Sequence, residues 1–307
     1  MTTEITGYWT FFCNPQKWEI DKFLETDEIY DTYRINDWYT EHVKAGQLAV
    51  IKVGVDDRTK KELNGRKKLL PGIYAVVEIL HEPKLMKEKS DFYLDEKEKK
   101  QDKLRVTIKY LKNLRHSPLL IGKLKANSII NQDKFLINGF QRSSMPLRKD
   151  VFEEITSLIV DTESILKHVQ LESADTWEQL IKLNEKYLNA TPEVKEVVSK
   201  QIERGKISSD IKRINNYKCQ ICEAFGHNPY SFTKKNGNFY IETHHIIPVS
   251  NLIEGTLGAR NLITVCANHH RQLHYGNAQI LPSEEDLILI QIDDKKIAIP
   301  RPTFAST

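Results

Sequence analysis

Residues 266–274 read C-A-N-H-H-R-Q-L-H, so three of the chain's ten histidines fall within six positions directly behind a cysteine. Neutral imidazole is a good ligand and titrates near physiological pH, so such a run points to metal binding, proton transfer or both. Cys266 and His269 stand three apart, and upstream Y-K-C-Q-I-C-E sets Cys219 and Cys222 at the same spacing. Two such pairs fit a tetrahedral Cys₃His structural zinc site, in which four protein ligands leave no open position. His270 and His274 remain. They lie four apart, on one face of a short helix, where they could converge on a second metal. Further upstream, I-E-T-H-H-I-I-P carries His244 and His245 on a strand-like run. Neighbours on a strand face opposite ways, so one can bind a metal while the other faces a substrate.

The elements that must position these groups follow from the patterning. At 307 residues the chain is long enough for two ordinary domains. A hydrophobic fraction of 40% against 28% charged residues describes a soluble globular protein, with no apolar run near the ~20 residues of a membrane span. The N-terminus lacks the layout of a secretory signal, and four unevenly placed cysteines do not make a disulfide framework, so a cytoplasmic location is expected. The net charge of +3 neither requires nor excludes a nucleic-acid partner.

From Tyr8 to about Gly139, short apolar runs (YWTFF, QLAVIKV, GIYAVVEIL, LRVTIKYL) bounded by glycine, proline or charge predict strands of a compact mixed or barrel-like sheet. IDKFLET and NDWYTEHVKAG have helical spacing, with Gly46 suited to a C-cap. The charged stretches 56–68 and 87–103 read as solvated surface loops, the first with enough basic residues to lean on a phosphate backbone. Residues 147–215 show apolar spacing at i, i+3 and i+4 and read mainly as helices. The fold class expected is therefore α+β.

The order C-x-x-C, H-H-x-x-P, then N-L-x-x-x-C-x-x-H-H-x-x-x-H over about residues 205–280 closely resembles the HNH endonuclease motif, the ββα-metal fold of many nucleases. The resemblance implies His245 as general base, Asn261 as brace of the loop and orienter of the base, and His244, His270 and His274 as holders of a catalytic divalent ion, Mg²⁺ or Mn²⁺. It retains structural Zn²⁺ on Cys219, Cys222, Cys266 and His269, with histidine at 269 where many zinc-bearing relatives have cysteine. The chemistry suits phosphodiester hydrolysis, which needs a base near working pH and a metal with open positions.

Over roughly residues 6–155, GYWTFFCNPQKW, YRINDWYTEHVKAGQLAVIKVG and PGIYAVVEIL resemble an EVE domain of the PUA superfamily, related to the YTH modified-base readers. That resemblance implies a pocket for a base flipped out of its helix, stacked on aromatic rings and read at its edges. Trp9, Asn14, Tyr33, Trp38, Tyr39 and Gly54 are the residues expected around it. The organisation implied is an EVE/PUA-like reader over 1–155, a helical connector over 156–204 and an HNH domain over 205–307. Such a combination resembles the modification-dependent restriction endonucleases, acting on double-stranded DNA that carries 5-methylcytosine, 5-hydroxymethylcytosine or a derivative, as a defence against foreign or phage DNA. One HNH site cuts one strand, so a homodimer is expected. A modification-indifferent nuclease and a non-catalytic reader are the alternatives.

Overall fold

The apolar runs of the N-terminal half become strands. β1 (Tyr8–Cys13), β2 (Tyr30–Arg34), β3 (Leu48–Val53), β4 (Gly72–Ile79), β5 (Lys84–Met86), β6 (Lys103–Asn113), β7 (Leu119–Leu120) and β8 (Ser144–Pro146) form one curled sheet in the order β2-β6-β4-β3-β1-β8, with β5 added to β6 and β7 to β4. β1 and β3 run parallel, and the other pairs are antiparallel. β3 and β4 are buried along their whole length, which is why their text is almost continuously apolar rather than alternating. Trp9, Phe11, Ile51, Val77 and Ile108 belong to the core cluster of this sheet. Register shifts at Ile51/Lys52 and Val76/Val77 bend it, as extra residues in a ladder do.

The computed structural model describes residues 4–139, 142–159, 175–247, 256–282 and 286–301. These divide into two compact units, one holding the described residues up to 159 with Asn189–Val194, the other residues 175–188 and those from Lys195 onward. The stretch 156–204, expected as a connector, is thus shared between the two units. The part of the expected helical run from 160 to 174 lies outside the described residues. Among the described residues no helix is long and apolar enough to cross a membrane.

In the second unit, β9 (Glu242–His245) and β10 (Leu262–Val265) pair antiparallel, with His244 opposite Ile263 and His245 opposite Leu262, and a helix over Ala267–Tyr275 follows. This is the ββα arrangement. A three-stranded sheet of β11 (Ala278–Leu281), β12 (Leu287–Ile292) and β13 (Lys295–Pro300), not among the elements expected above, shares a core with it: Ile221, Ile263 and Val265 cluster with Ile288, Ile290 and Ile299.

Two expectations about the first unit need correction. The helical spacing of residues 36–46 yields only a 3₁₀ turn at Asp37–Tyr39. Gln47 explains the difference: its Oε1 accepts from Lys44 N and its Nε2 donates to His42 O, satisfying backbone groups that a helix would have paired. Gly46, at φ 75°, turns the chain into β3. The charged stretches are not simply solvated either. Arg58, 1% exposed, is held by both oxygens of Asp56 and by Asp21, which Arg66 also reaches, so the first stretch folds inward on a buried ion-pair network. The second stretch turns Glu88 and Glu98 inward.

Candidate functional site

Cys219 caps the Gln220–Ala224 helix, its Sγ accepting from Cys222 N, and is fully buried. Cys266 immediately precedes the Ala267–Tyr275 helix, whose first turn presents His269. His269 Nδ1 lies 3.3, 3.4 and 3.4 Å from the sulfurs of Cys219, Cys222 and Cys266, and Cys222 Sγ is 4.0 Å from Cys266 Sγ. Tetrahedral zinc, with bonds of roughly 2.3 Å to sulfur and 2.0 Å to nitrogen, spaces its ligands about 3.5–3.8 Å apart. The four donors therefore fit zinc. The hydrogen bond between the two sulfurs lowers the Cys266 thiol, which His269 lowers further, and raises that of Cys219, so the two sulfurs titrate as a pair.

The same helix presents His270, the next residue, and His274 one turn further on, and both meet His244 of β9. The three rings stand nearly perpendicular, with centroids 5.1 Å (His244–His270), 4.7 Å (His244–His274) and 4.8 Å (His270–His274) apart. Their ligand nitrogens all lie within 4.8 Å of one another. Burial, with the neighbouring imidazoles, pushes His244 down to about 3, and His274 is lowered for the same reasons, so both are neutral ligands at neutral pH. His244 Nδ1 and His270 Nε2 are buried without a hydrogen-bond partner, as atoms reserved for a metal would be. His270 Nδ1 pairs with Glu242 Oε2 at 2.8 Å, the carboxylate–histidine arrangement that fixes the tautomer and aims the other nitrogen. Tyr240 in turn donates to Glu242. The trio fits a divalent ion with open positions.

His245 faces elsewhere. Its Nδ1 lies 2.8 Å from Glu203 Oε1 and 2.9 Å from Ser199 Oγ, two residues four apart on the Pro192–Arg204 helix. Burial would raise the Glu203 carboxyl, but the hydrogen bonds it accepts from the His245 side chain and backbone act against this and the net shift is downward. An ionised carboxylate only accepts, so Nδ1 carries the proton and Nε2, buried and unpartnered, keeps its lone pair free. Asn261 braces the chain just beyond: its Oδ1 accepts from Ile247 N, its Nδ2 donates to Ile247 O and Thr256 O, and its backbone oxygen accepts from Ile246 N.

The first unit carries a cavity of about 480 Å³, within the range of small-molecule sites. Asn14, Tyr33 and Gly54 line it. Tyr33 stacks flat on Phe11 with centroids 4.4 Å apart, and Trp18 meets Tyr33 edge-on. Glu88, Glu98, Arg34 and Arg105 supply charge. Arg34 donates to Glu98 at 2.8 Å and Arg105 donates to Glu88.

Residues 7–158 match the EVE domain family and residues 219–276 the HNH endonuclease family. The chain joins an EVE domain to an HNH endonuclease domain. Over 55 residues, 18% of the chain, it is 44% identical to the type IV methyl-directed restriction enzyme EcoKMcrA of Escherichia coli K12, of which it spans only 19%. Among solved structures, a Pseudomonas putida protein is similar at 13% identity, with 49% of this chain and 97% of that one covered and a TM-score of 0.34. Human THYN1, in complex with 5-methylcytosine containing DNA, is similar at 14% identity, with 49% and 96% covered and a TM-score of 0.33.

The HNH domain brings together Cys219, Cys222, Cys266 and His269 in one cluster and His244, His270 and His274 in another. The EVE domain does not gather its six expected residues. Trp9 is fully buried, its Nε1 donating to Gln47 at 2.7 Å, and Tyr39 packs edge-on against it. Neither lines the cavity. Trp38 is 71% exposed with the Arg142 guanidinium 3.5 Å over its ring. Glu203, Ser199, Glu242 and the charged wall residues of the cavity went unseen in the sequence. For Glu242 a signal existed, since it sits two positions before His244 on one strand face.

Proposed function

We propose that this protein is a modification-dependent DNA endonuclease, whose EVE domain accepts a flipped modified cytosine and whose HNH domain hydrolyses phosphodiester bonds. The observation that carries the reading is the juxtaposition in β9: His244 joins a three-imidazole cluster shaped for a divalent ion, while adjacent His245 presents a free Nε2 held by Glu203. In the reaction, His245 Nε2 takes the proton of the attacking water, and Glu203 steadies the imidazolium that results. His244, His270 and His274 would hold Mg²⁺ or Mn²⁺, which when bound stabilises charge developing on the phosphate. Asn261 keeps residues 246–247 in register behind the base. Zn²⁺ on the cysteine cluster is structural.

The EVE cavity, with its stacked Tyr33 and charged wall, suits a planar heterocycle read at its edges. The restriction enzyme EcoKMcrA, alike over 55 residues, is methyl-directed by name. The partner is accordingly duplex DNA with 5-methylcytosine, 5-hydroxymethylcytosine or a derivative, met in foreign or phage DNA in the cytoplasm. The active form is a homodimer, since each HNH site cuts one strand. The test is digestion of one plasmid in unmodified, 5-methylcytosine, 5-hydroxymethylcytosine and glucosylated forms, with Mg²⁺ or Mn²⁺. Cutting confined to modified forms is expected; equal cutting of all four would replace the reading by a modification-indifferent nuclease.

A further inference from the structure

Arg105 is 1% exposed on the wall of the EVE cavity. Glu88 takes one end of its guanidinium through Nη1. The other oxygen of Glu88 is filled by the backbone N–H groups of Lys89 and Ser90, at 2.9 and 3.0 Å, and by the Thr32 hydroxyl at 3.3 Å. Glu88 therefore anchors Arg105. The nearby carboxylate of Glu98 is occupied by Arg34 and Lys17. Arg105 Nε and Nη2 remain, buried and without an acceptor. Buried charged donors are costly to leave unmet, so this edge is suited to an acceptor that arrives with a ligand.

The edge specifies what kind of ligand. Nε–H and one Nη2–H run parallel, a rigid fork that matches two adjacent acceptors in one plane. Cytosine offers such a pair in O2 and N3, and guanine in N7 and O6. Thymine carries N3–H between its two carbonyls, and adenine sets its amino group beside both N1 and N7, so each would place donor against donor. A reader of 5-methylcytosine faces this problem directly, because thymine bears the same C5 methyl and is present in all DNA. A wall shaped for the methyl cannot tell the two apart. The O2/N3 edge lies across the ring from C5 and identifies cytosine whatever C5 carries.

We propose that Arg105 is the residue by which the cavity separates cytosines from thymine, donating Nε–H and Nη2–H to O2 and N3 of the flipped base. This rests on the reading of the cavity as the modified-base site. The experiment measures binding, without added divalent metal, of the full chain carrying His245→Ala, which slows cutting, to duplexes differing at one position: 5-methylcytosine, cytosine or thymine, each opposite guanine. The thymine mismatch flips at least as easily as a paired base, so its rejection must come from the pocket. Preference for 5-methylcytosine over thymine of about tenfold or more is expected, the worth of a bidentate pair.

Arg105→Lys keeps a charge facing Glu88 but loses the fork, and should cut that preference to about threefold or less with an unchanged melting temperature. Arg105→Gln sets a donor beside an acceptor, the complement of thymine's O4 and N3–H, and should move the preference toward thymine. An arm that needs no variant replaces N3 with C–H, using 3-deaza-5-methylcytosine. Binding about tenfold weaker is expected there, in spite of weaker pairing with guanine. Undiminished discrimination by folded Arg105→Lys, or undiminished binding of the deaza base, overturns the inference while leaving the modified-base reading in place. Equal binding of cytosine and 5-methylcytosine, with Arg105-dependent rejection of thymine, overturns that reading and keeps the inference. No base preference of any kind overturns both.

Discussion

His245 has one ring nitrogen committed to Glu203 and Ser199 and the other free, which separates two kinds of variant. His245→Ala removes the base and is expected to lower kcat by about 10²–10⁴-fold, with folding and DNA binding retained in a gel-shift assay. Glu203→Gln leaves the imidazole in place but replaces the acceptor that fixes its tautomer. A loss on the order of 10–100-fold in kcat with KM little changed is expected, and a KM effect alone would remove Glu203 from the base's support. In the EVE domain, burial pushes Asp31 up to about 7, with one oxygen, Oδ2, left unpartnered. Its folded pKa exceeds the unfolded value near 4, so the folded state binds the extra proton and stability falls as pH rises from about 4 through 7. Urea unfolding at pH 5 and pH 8 should show that slope, and Asp31→Asn should flatten it. A slope unaltered in the variant would assign it to other groups.

At the scale of elements, one nine-residue helix contributes to both candidate metal sites, with His269 on the cysteine side and His270 and His274 on the histidine side. Cys219→Ala, or zinc removal by a chelator, is therefore expected to disorder the HNH domain and abolish cutting together, since metal-binding energy in small zinc modules is folding energy. Circular dichroism and zinc content follow it, and a folded, active Cys219→Ala protein would sink the zinc assignment. The four strand runs were legible because β-branched and aromatic residues cluster between turn residues in the chain itself. The turn at 36–46 was not, because Gln47, a residue outside the apparent helix, pairs with Lys44 N and His42 O. Likewise Arg58 looks solvated beside its lysines, and only the approach of Asp21 from 37 positions away buries it.

For the whole molecule, the proposed cutting of one strand by each HNH site predicts that double-strand cleavage takes two copies. Nicked plasmid should dominate at low protein concentration, and linear product should rise more steeply than the first power of concentration. Proportional linear and nicked products at every concentration would speak against the homodimer. The sequence by itself pointed to the residues that the fold gathers into the two Cys/His clusters, to Asn261 and to the two families, because residue types at helix and strand spacings are local features of the chain. The tertiary structure alone decided what stands behind those residues: Glu203 and Ser199 on His245, the inward carboxylates of the charged stretches, and Arg105 in place of Trp9 at the cavity. Those partners come together across gaps of tens of residues, where position is set by the packing of whole elements and burial can turn a charged or aromatic side chain to either face.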